Sequence, residues 1–386
     1  MRMMLAASLA VLGLAACGQQ DADKAETPGA QAPAPTPTGT PDAATPAGGP
    51  AVQSEVRQFR DWHAVCDNGN LCVAYSGSDA TSWIRITRAP GAATDGPCVG
   101  FGIGFVGQDE SPGAVTLSAD ARRVLRTQGT DGLYCADGIS GSPTDGLIAA
   151  ADAQTLTLEG GGQKGVVPAS GLKAALLWID ERQGRLNTTT ALVRRGTGTV
   201  VPPAPALPRV IPAPAISQAG FEGAADPLEG TPRGLKVPAA IEALDEVKAC
   251  RAEGNPTLNQ AILAARLDQS TVLWGVPCGS GAYNATYVLY LARPDGSGVR
   301  AAELPERTAR TEGDIGGQDQ WLVNPFYDAQ RRTLTVFPRG RGLGDCGTIT
   351  TWTWTTGGFV LSEQKTMADC WGMNSDLWPT TWRTRG

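Results

Sequence analysis

Apolar residues are distributed along this chain in three regimes. Residues 3–12 form an apolar run behind a single positive charge, Arg2. From Gly18 to about Gln53 the chain is Ala, Pro, Thr, Gly and Gln, with few large apolar side chains. Beyond that, short alternating apolar segments recur between Gly, Asn and Asp turns. Successive strand residues face opposite sides, so such alternation predicts half-buried strands.

Residues 59–75 read FRDWHAVCDNGNLCVAY. Apolar flanks around an Asn/Asp/Gly turn predict a hairpin, with Cys66 and Cys72 bracketing the turn. Residues 83–86 continue as a strand. Residues 98–106 alternate glycine with Phe101, Ile103 and Phe105, and 115–117 is a further short strand. Residues 118–126 read as a short helix. The clearest helical spacing lies at 169–183: Leu172, Leu176 and Ile179 share a face, Ser170 can cap the start and Gly184 can end it. Residues 186–192, containing Asn187-Thr188-Thr189-Thr190-Ala191, then favour a strand. Further on, Pro238 suits the first turn of a helix running to Lys248. A second helix is expected at 258–267, with Ile262, Leu263 and Leu267 as its apolar set. Strand patterns follow at 283–291, 332–337, 348–355 and 358–361. The expected fold class is α+β and β-dominated.

The chain has nine cysteines. Setting Cys17 aside leaves an even number, as a disulfide framework in an oxidising compartment requires. Cys66, Cys72, Cys98 and Cys135 fall in one half, and Cys250, Cys278, Cys346 and Cys370 in the other. Between them lies VPPAPALPRVIPAPAI, too rich in proline for a helix or a central strand. Two disulfide-stabilised domains are therefore expected, at 55–200 and 238–386, joined by a Pro-rich linker at 201–237. Within each half three pairings are open, of which sequential pairing is the simplest: Cys66–Cys72, Cys98–Cys135, Cys250–Cys278 and Cys346–Cys370. The chain has no CxxC and a single histidine, His63, so the common Cys/His metal spacings are not met. No metal and no cofactor is expected.

The N-terminal regimes carry the address. The apolar run is too short to span a bilayer and reads as a processed segment. Leu14-Ala15-Ala16-Cys17 resembles a bacterial lipoprotein signal, which implies cleavage of residues 1–16 and lipid on the Cys17 sulfur. Residues 17–54 cannot bury enough apolar surface to offset the entropy of ordering and read as a disordered lipid-attached tether. The coil would span roughly 35 Å. The expected location is the cell envelope, on the periplasmic face of the outer membrane, with the lipid anchor as the membrane contact. A net charge of −6 with scattered arginines argues against nucleic acid as a partner.

Asp61-Trp62 through Cys66 with Cys72, GLKAALLWIDERQGR at 171–185, LWGVPCGSGAYNATYVLYL at 273–291 and GRGLGDCG at 340–347 together resemble a bacterial envelope family classed as domain of unknown function 1176. The resemblance covers about residues 55–386. Residues 55–200 also look, more loosely, like the invasion-associated locus B proteins. These resemblances imply an exported, cysteine-bonded protein and carry no reaction with them.

Candidate chemistry is sparse. Gly102-Ile103-Gly104-Phe105-Val106-Gly107 matches GxGxxG, but a loop sequence follows where a dinucleotide fingerprint needs a helix. His63 has no second histidine to work with, and strand alternation places it on the surface opposite a buried Trp62. The best constellation is Arg339, Arg341 and Asp345, with Tyr283 and Asn284 as neighbours: glycines allow tight turning, and guanidinium groups can clamp a carboxylate or phosphate. The competing reading pairs Asp345 internally with an arginine. Asp180, Glu181, Arg182 and Arg185 form a weaker counterpart in the first half. Trp352 and Trp354 share a strand face, and core packing is favoured over sugar stacking. The expected function is a non-enzymatic, lipid-anchored protein that binds a cell-wall component or envelope protein. The alternative is a periplasmic glycan hydrolase with paired carboxylates.

Overall fold

In a computed structural model, the chain is described at residues 52–78, 82–92, 97–103, 114–126, 133–135, 143–227, 234–254, 256–305 and 322–386, with 133–135 and 143–144 described in backbone only. Cys17, the 1–51 segment and Gly104–Gly107 of the GxGxxG match lie outside the described residues.

The N-terminal half carries β1 (Glu55–Phe59), β2 (Trp62–Cys66), β3 (Cys72–Ser78), β4 (Ser82–Arg88), β5 (Cys98–Gly102), β6 (Thr116–Ala119), β7 (Arg122–Arg126), β8 (Leu133–Cys135), α1 (Pro143–Ala149), β9 (Thr155–Gly160), β10 (Gln163–Pro168) and α2 (Leu172–Arg182). One sheet runs β1-β2-β3-β4-β5-β8 and a second β10-β9-β6-β7. Alternation works as expected in β2 and β4. Trp62, Ala64, Ile84 and Ile86 point into a core closed by Leu117, Leu156, Leu158 and the buried face of α2: Leu172, Leu176 and Ile179. The Trp62 indole N–H donates to the Pro168 carbonyl at 2.9 Å, so the ring is buried without an orphan donor.

The C-terminal half carries α3 (Ala239–Glu242), α4 (Asp245–Glu253), β11 (Leu263–Arg266), β12 (Val272–Ser280), β13 (Ala285–Ala292), β14 (Arg300–Ala301), β15 (Leu322–Val323), β16 (Phe326–Asp328), β17 (Thr333–Val336), β18 (Gly347–Thr355), β19 (Gly358–Met367) and β20 (Thr380–Arg383). Its sheets run β11-β12-β13-β14, with β15 also on β13, and β16-β17-β18-β19-β20. Trp352, Trp354, Tyr327, Leu334, Tyr287 and Leu289 fill the core that both sheets share. The opposite face of β12–β13 packs Trp274, Val276 and Tyr290 against Val247 and Cys250 of α4. Strand residues outnumber helical ones about threefold, 40% against 13%, so the fold is β-dominated α+β.

Several expected elements take another form. Residues 118–126 form the β6–β7 hairpin rather than a helix, turning at Asp120 and Ala121, which both adopt positive φ. The 258–267 pattern becomes a short 3-10 turn, Leu258–Gln260, and then β11. Leu263, Ala265 and Leu267 face one core while Ile262 and Ala264 face the other. A strand buried on both faces loses its alternation and mimics a buried helix. Residues 186–192 form turns, because the Asp180 carboxylate accepts the Leu192 and Val193 N–H groups at 2.8 and 2.9 Å and folds the segment back. The start of α2 is set by Gly171 in the left-handed region (φ 100°), not by a Ser170 side-chain cap. A Cβ there would collide with the Phe59 carbonyl. The 238–248 helix is split into α3 and α4 at Ala243-Leu244.

Disulfides join Cys66 to Cys72, Cys250 to Cys278 and Cys346 to Cys370. Cys98 is disulfide-bonded and sits opposite Cys135 in the β5–β8 register; the Cys135 side chain lies outside the described residues.

The described residues hold together as one compact unit. Val65, Val73, Tyr75 and Trp83, on the second face of the first sheet, pack against Met367, Met373 and Trp378. Asn68 and Arg383 exchange hydrogen bonds at 2.9 Å each, and Arg383 pairs with Asp67. The first sheet is thus covered on both faces, by its own half and by the other.

Candidate functional site

The loop between β17 and β18, residues 337–346, carries Arg339, Arg341 and Asp345, and Tyr283 and Asn284 meet it from outside. Its base is a narrow antiparallel contact, with Arg339 opposite Gly347 and the Gly340 N–H donating to the Cys346 carbonyl at 2.8 Å. Gly347 has φ 136°, and a Cβ there would collide with the Pro338 carbonyl, so the close approach demands glycine.

Two asparagines brace the loop from the neighbouring sheet. Asn284 acts as a strand would: its Nδ2 donates to the Arg339 carbonyl at 2.9 Å and its Oδ1 accepts the Arg339 N–H at 3.1 Å. Asn324, buried and at positive φ, donates to the Phe337 carbonyl and to Asn284 Oδ1, both at 3.0 Å, and accepts from Ala285 N–H at 2.9 Å. Asn324 was not singled out in the sequence; its signal is an Asn before a proline at the mouth of a strand, a common turn feature. Tyr283 donates to the Gly340 carbonyl at 3.0 Å.

The two arginines separate here. Arg341 grips Asp345, with Nε 2.7 Å from Oδ1, and also donates to the Cys370 carbonyl at 2.8 Å. Asp345 accepts the Gly372 N–H at 2.6 Å. Burial acts to raise the Asp345 pKa, but the Arg341 guanidinium and the Gly372 N–H outweigh it, and the pKa lies below the ordinary aspartate value. Asp345, Cys346 and Cys370 place possible ligand atoms within 4.8 Å of one another, yet the sulfurs are bonded to each other and the carboxylate is engaged. Arg339 has no carboxylate partner among the described residues. Its guanidinium lies over the Phe337 ring, 5.3 Å from the centroid, and its Nε is buried without an acceptor. Beside it, Tyr283 is 39% exposed and Leu343 52%.

Cys370 belongs to a strap, 369–372, that links this loop to the N-terminal half. Asp369 Oδ2 lies 3.1 Å from His63 Nε2. The His63 ring stacks on Tyr75 with centroids 5.1 Å apart, and Trp371 packs near both. Gly77 makes room, since a Cβ there would stand 2.5 Å from the Trp371 ring. His63 is therefore opposite buried Trp62 as alternation requires, but the other half covers that face in place of solvent.

The first-half counterpart closes on itself. Arg185 is fully buried and donates to Gln183 Oε1 and Thr190 Oγ1 at 2.9 Å and to the Ala89 carbonyl at 3.2 Å. Arg182 pairs with Glu55 at 3.2 Å. Burial raises the Asp180 pKa, partly offset by the Leu192 and Val193 N–H groups. A groove of about 190 Å³ lies beside this turn, lined by Asn70, Gly91, Glu181, Arg182, Gln183 and Pro202 among others; it contains one carboxylate, Glu181. Trp352 and Trp354 are core residues, and the Trp352 N–H donates to the Pro305 carbonyl at 2.8 Å.

Comparison with known proteins places these residues in a family. An uncharacterized protein, YpfG, from Escherichia coli (strain K12) is 27% identical over 351 residues, covering 85% of this chain and 93% of its own length. No solved structure matches. The family described as Protein of unknown function (DUF1176) matches residues 56–385, which include both halves, the strap and the braced loop; the chain belongs to that family.

Proposed function

We propose that this protein is a non-enzymatic, lipid-anchored envelope protein that binds an anionic group of another envelope component through the braced 337–346 loop. One observation carries the reading: Arg339 is the cation in this loop without an acid partner among the described residues, held rigid beside the exposed Tyr283 and Leu343, while Arg341 is neutralised by Asp345. A guanidinium fixed against a ring needs no ordering on binding, so a carboxylate or phosphate gains a charge-assisted bond at little entropic cost. The lipid site and tether at Cys17 and 18–54 supply the envelope location. The carboxylates with raised pKa, Asp67 and Asp180, are held by internal donors, and the Glu181 groove offers no second acid among the described residues for paired-carboxylate hydrolysis.

The test is co-sedimentation of the mature chain with purified sacculi and, separately, with outer-membrane vesicles. Binding to one of them that falls about tenfold in Arg339→Gln is expected, the size of one lost charge-assisted hydrogen bond. Release of soluble glycan fragments would overturn the non-enzymatic reading. Radiolabelled palmitate on the wild type but not on Cys17→Ser is the expected result for the anchor.

A further inference from the structure

The Pro-rich segment crosses both halves, and its burial repeats every third residue. Leu207, Val210, Ala213 and Ile216 turn inward, with Val210 and Ala213 buried. Leu207 sits against Gly69, where a Cβ would stand 2.8 Å away. The Val210 N–H donates to the Arg385 carbonyl at 2.9 Å, and the Arg385 N–H to the Pro208 carbonyl at 2.9 Å. The Ala213 N–H donates to the Trp354 carbonyl at 2.8 Å. A three-residue period in a proline-dense segment is that of a polyproline II helix.

That geometry has a second ridge, Pro205, Pro208, Ile211 and Pro214, which faces away from the protein apart from the half-buried Pro205. Ile211 is 62% exposed. Arg209 and Arg385 flank the ridge as directly bridged neighbours, both exposed and neither in an ion pair among the described residues. Like charges opposite one another are destabilising, and an anion between them relieves the cost. Stiffening the segment would explain the prolines at any position. It does not explain an outward isoleucine in register with them or two adjacent arginines with no acid partner among the described residues.

We propose that the 205–214 ridge is a docking surface for a protein partner bearing an aromatic-lined groove with an acidic rim. Polyproline II ridges fit such grooves, with apolar residues spaced three apart lying between aromatic rings and a basic residue setting orientation by charge. Because the Pro-rich segment is already anchored at Val210 and Ala213, the ridge is ordered before binding. This surface is separate from the Arg339 loop, and its partner is a protein rather than the anionic group proposed there.

The test is to place a photo-crosslinking residue at Ile211 of the full chain in its own cells and to sequence the partner peptide. Cross-links are expected on a surface with clustered aromatic side chains and neighbouring acids. The yield is expected to fall about tenfold when Arg209→Glu and Arg385→Glu are combined. An Ile211→Asp chain with unchanged melting temperature is expected to lose pull-down of the partner so identified. Cross-linking no stronger than from Val166, an exposed control on β10, would overturn the proposal. So would a partner surface without aromatic residues, or a yield unaffected by the charge reversal. Arg339→Gln should leave the Ile211 cross-link intact, which separates failure of this proposal from failure of the loop reading.

Discussion

Two turns with nearly the same chemistry end in opposite environments. In the N-terminal half, DERQGR at 180–185 forms the last turn of α2 and its exit. In the C-terminal half, RGRGLGD at 339–345 links two strands. Arg185 is fully buried and its donors are used inside the protein, so the turn is structure. Arg339 keeps a guanidinium with no acid partner among the described residues, beside exposed side chains, while its neighbour Arg341 does the structural work with Asp345. An arginine near glycines is therefore a binding candidate only when the fold leaves its charge without an internal acceptor.

The contrast can be broken by substitution. Arg185→Leu leaves Gln183 Oε1, Thr190 Oγ1 and the Ala89 carbonyl without donors in the interior. It should cost about 3–5 kcal/mol in denaturant unfolding at neutral pH. An effect near zero would mean the turn is solvated and the two sites are alike. Replacing both Cys346 and Cys370 by alanine opens a link across 24 residues of chain. Unfolding should then be about 2–4 kcal/mol easier. Binding in the sacculus or vesicle assay should weaken as well, because the loop loses its staple. Gly77→Ala should cost about 1–3 kcal/mol by driving Trp371 off its seat between the halves. Near-ultraviolet circular dichroism of the tryptophans reports it.

The acids of the two turns should respond to pH with opposite sign. Asp345 has a lowered folded pKa, so its contribution is present above the ordinary aspartate pKa, about 3.9, and is lost as pH falls through the lower folded value. Asp180 has a raised one, so its titration favours the fold at low pH and is lost as pH rises through the folded value. The stability gap between wild type and Asp345→Asn should narrow under acid, and that between wild type and Asp180→Asn should widen. A tenfold difference in proton affinity between the folded and unfolded chain is worth about 1.4 kcal/mol. Urea titrations across that range decide both signs. The smallest expected stability effect is that of Arg339→Gln, under about 0.5 kcal/mol. A larger loss of stability would assign Arg339 a structural role and sink the contrast.

The sequence was most legible where local chemistry sufficed. The β2–β3 hairpin, with an Asn/Gly turn and its bracketing cysteines, is local. So is the buried stripe of α2. The Arg339 loop stood out by its glycines, with Tyr283 and Asn284 named as neighbours; in the structure both lie just before β13 and reach the loop from the other sheet. What failed was long-range. Residues 263–267 read as a helix because two cores bury that strand from both sides. Residues 186–192 read as a strand because Asp180, already past in the chain, competes for their N–H groups. His63 read as a surface residue because alternation reports which face a side chain takes, not what covers that face.

The β-dominated class, the cysteine pairs Cys66–Cys72, Cys250–Cys278 and Cys346–Cys370 and the glycine-rich Arg339 loop were all readable in the chain before folding. Each follows from side-chain spacing, turn chemistry and composition, which act between near neighbours. Folding settled which arginine is spent on Asp345 and which has no acid partner among the described residues, that Asp369–Gly372 ties the loop to His63 and Tyr75, and that the proline segment presents a patterned outer ridge. Those outcomes depend on which groups meet across hundreds of residues, and the free energy of a charge is set by the partners and solvent around it rather than by its place in the chain.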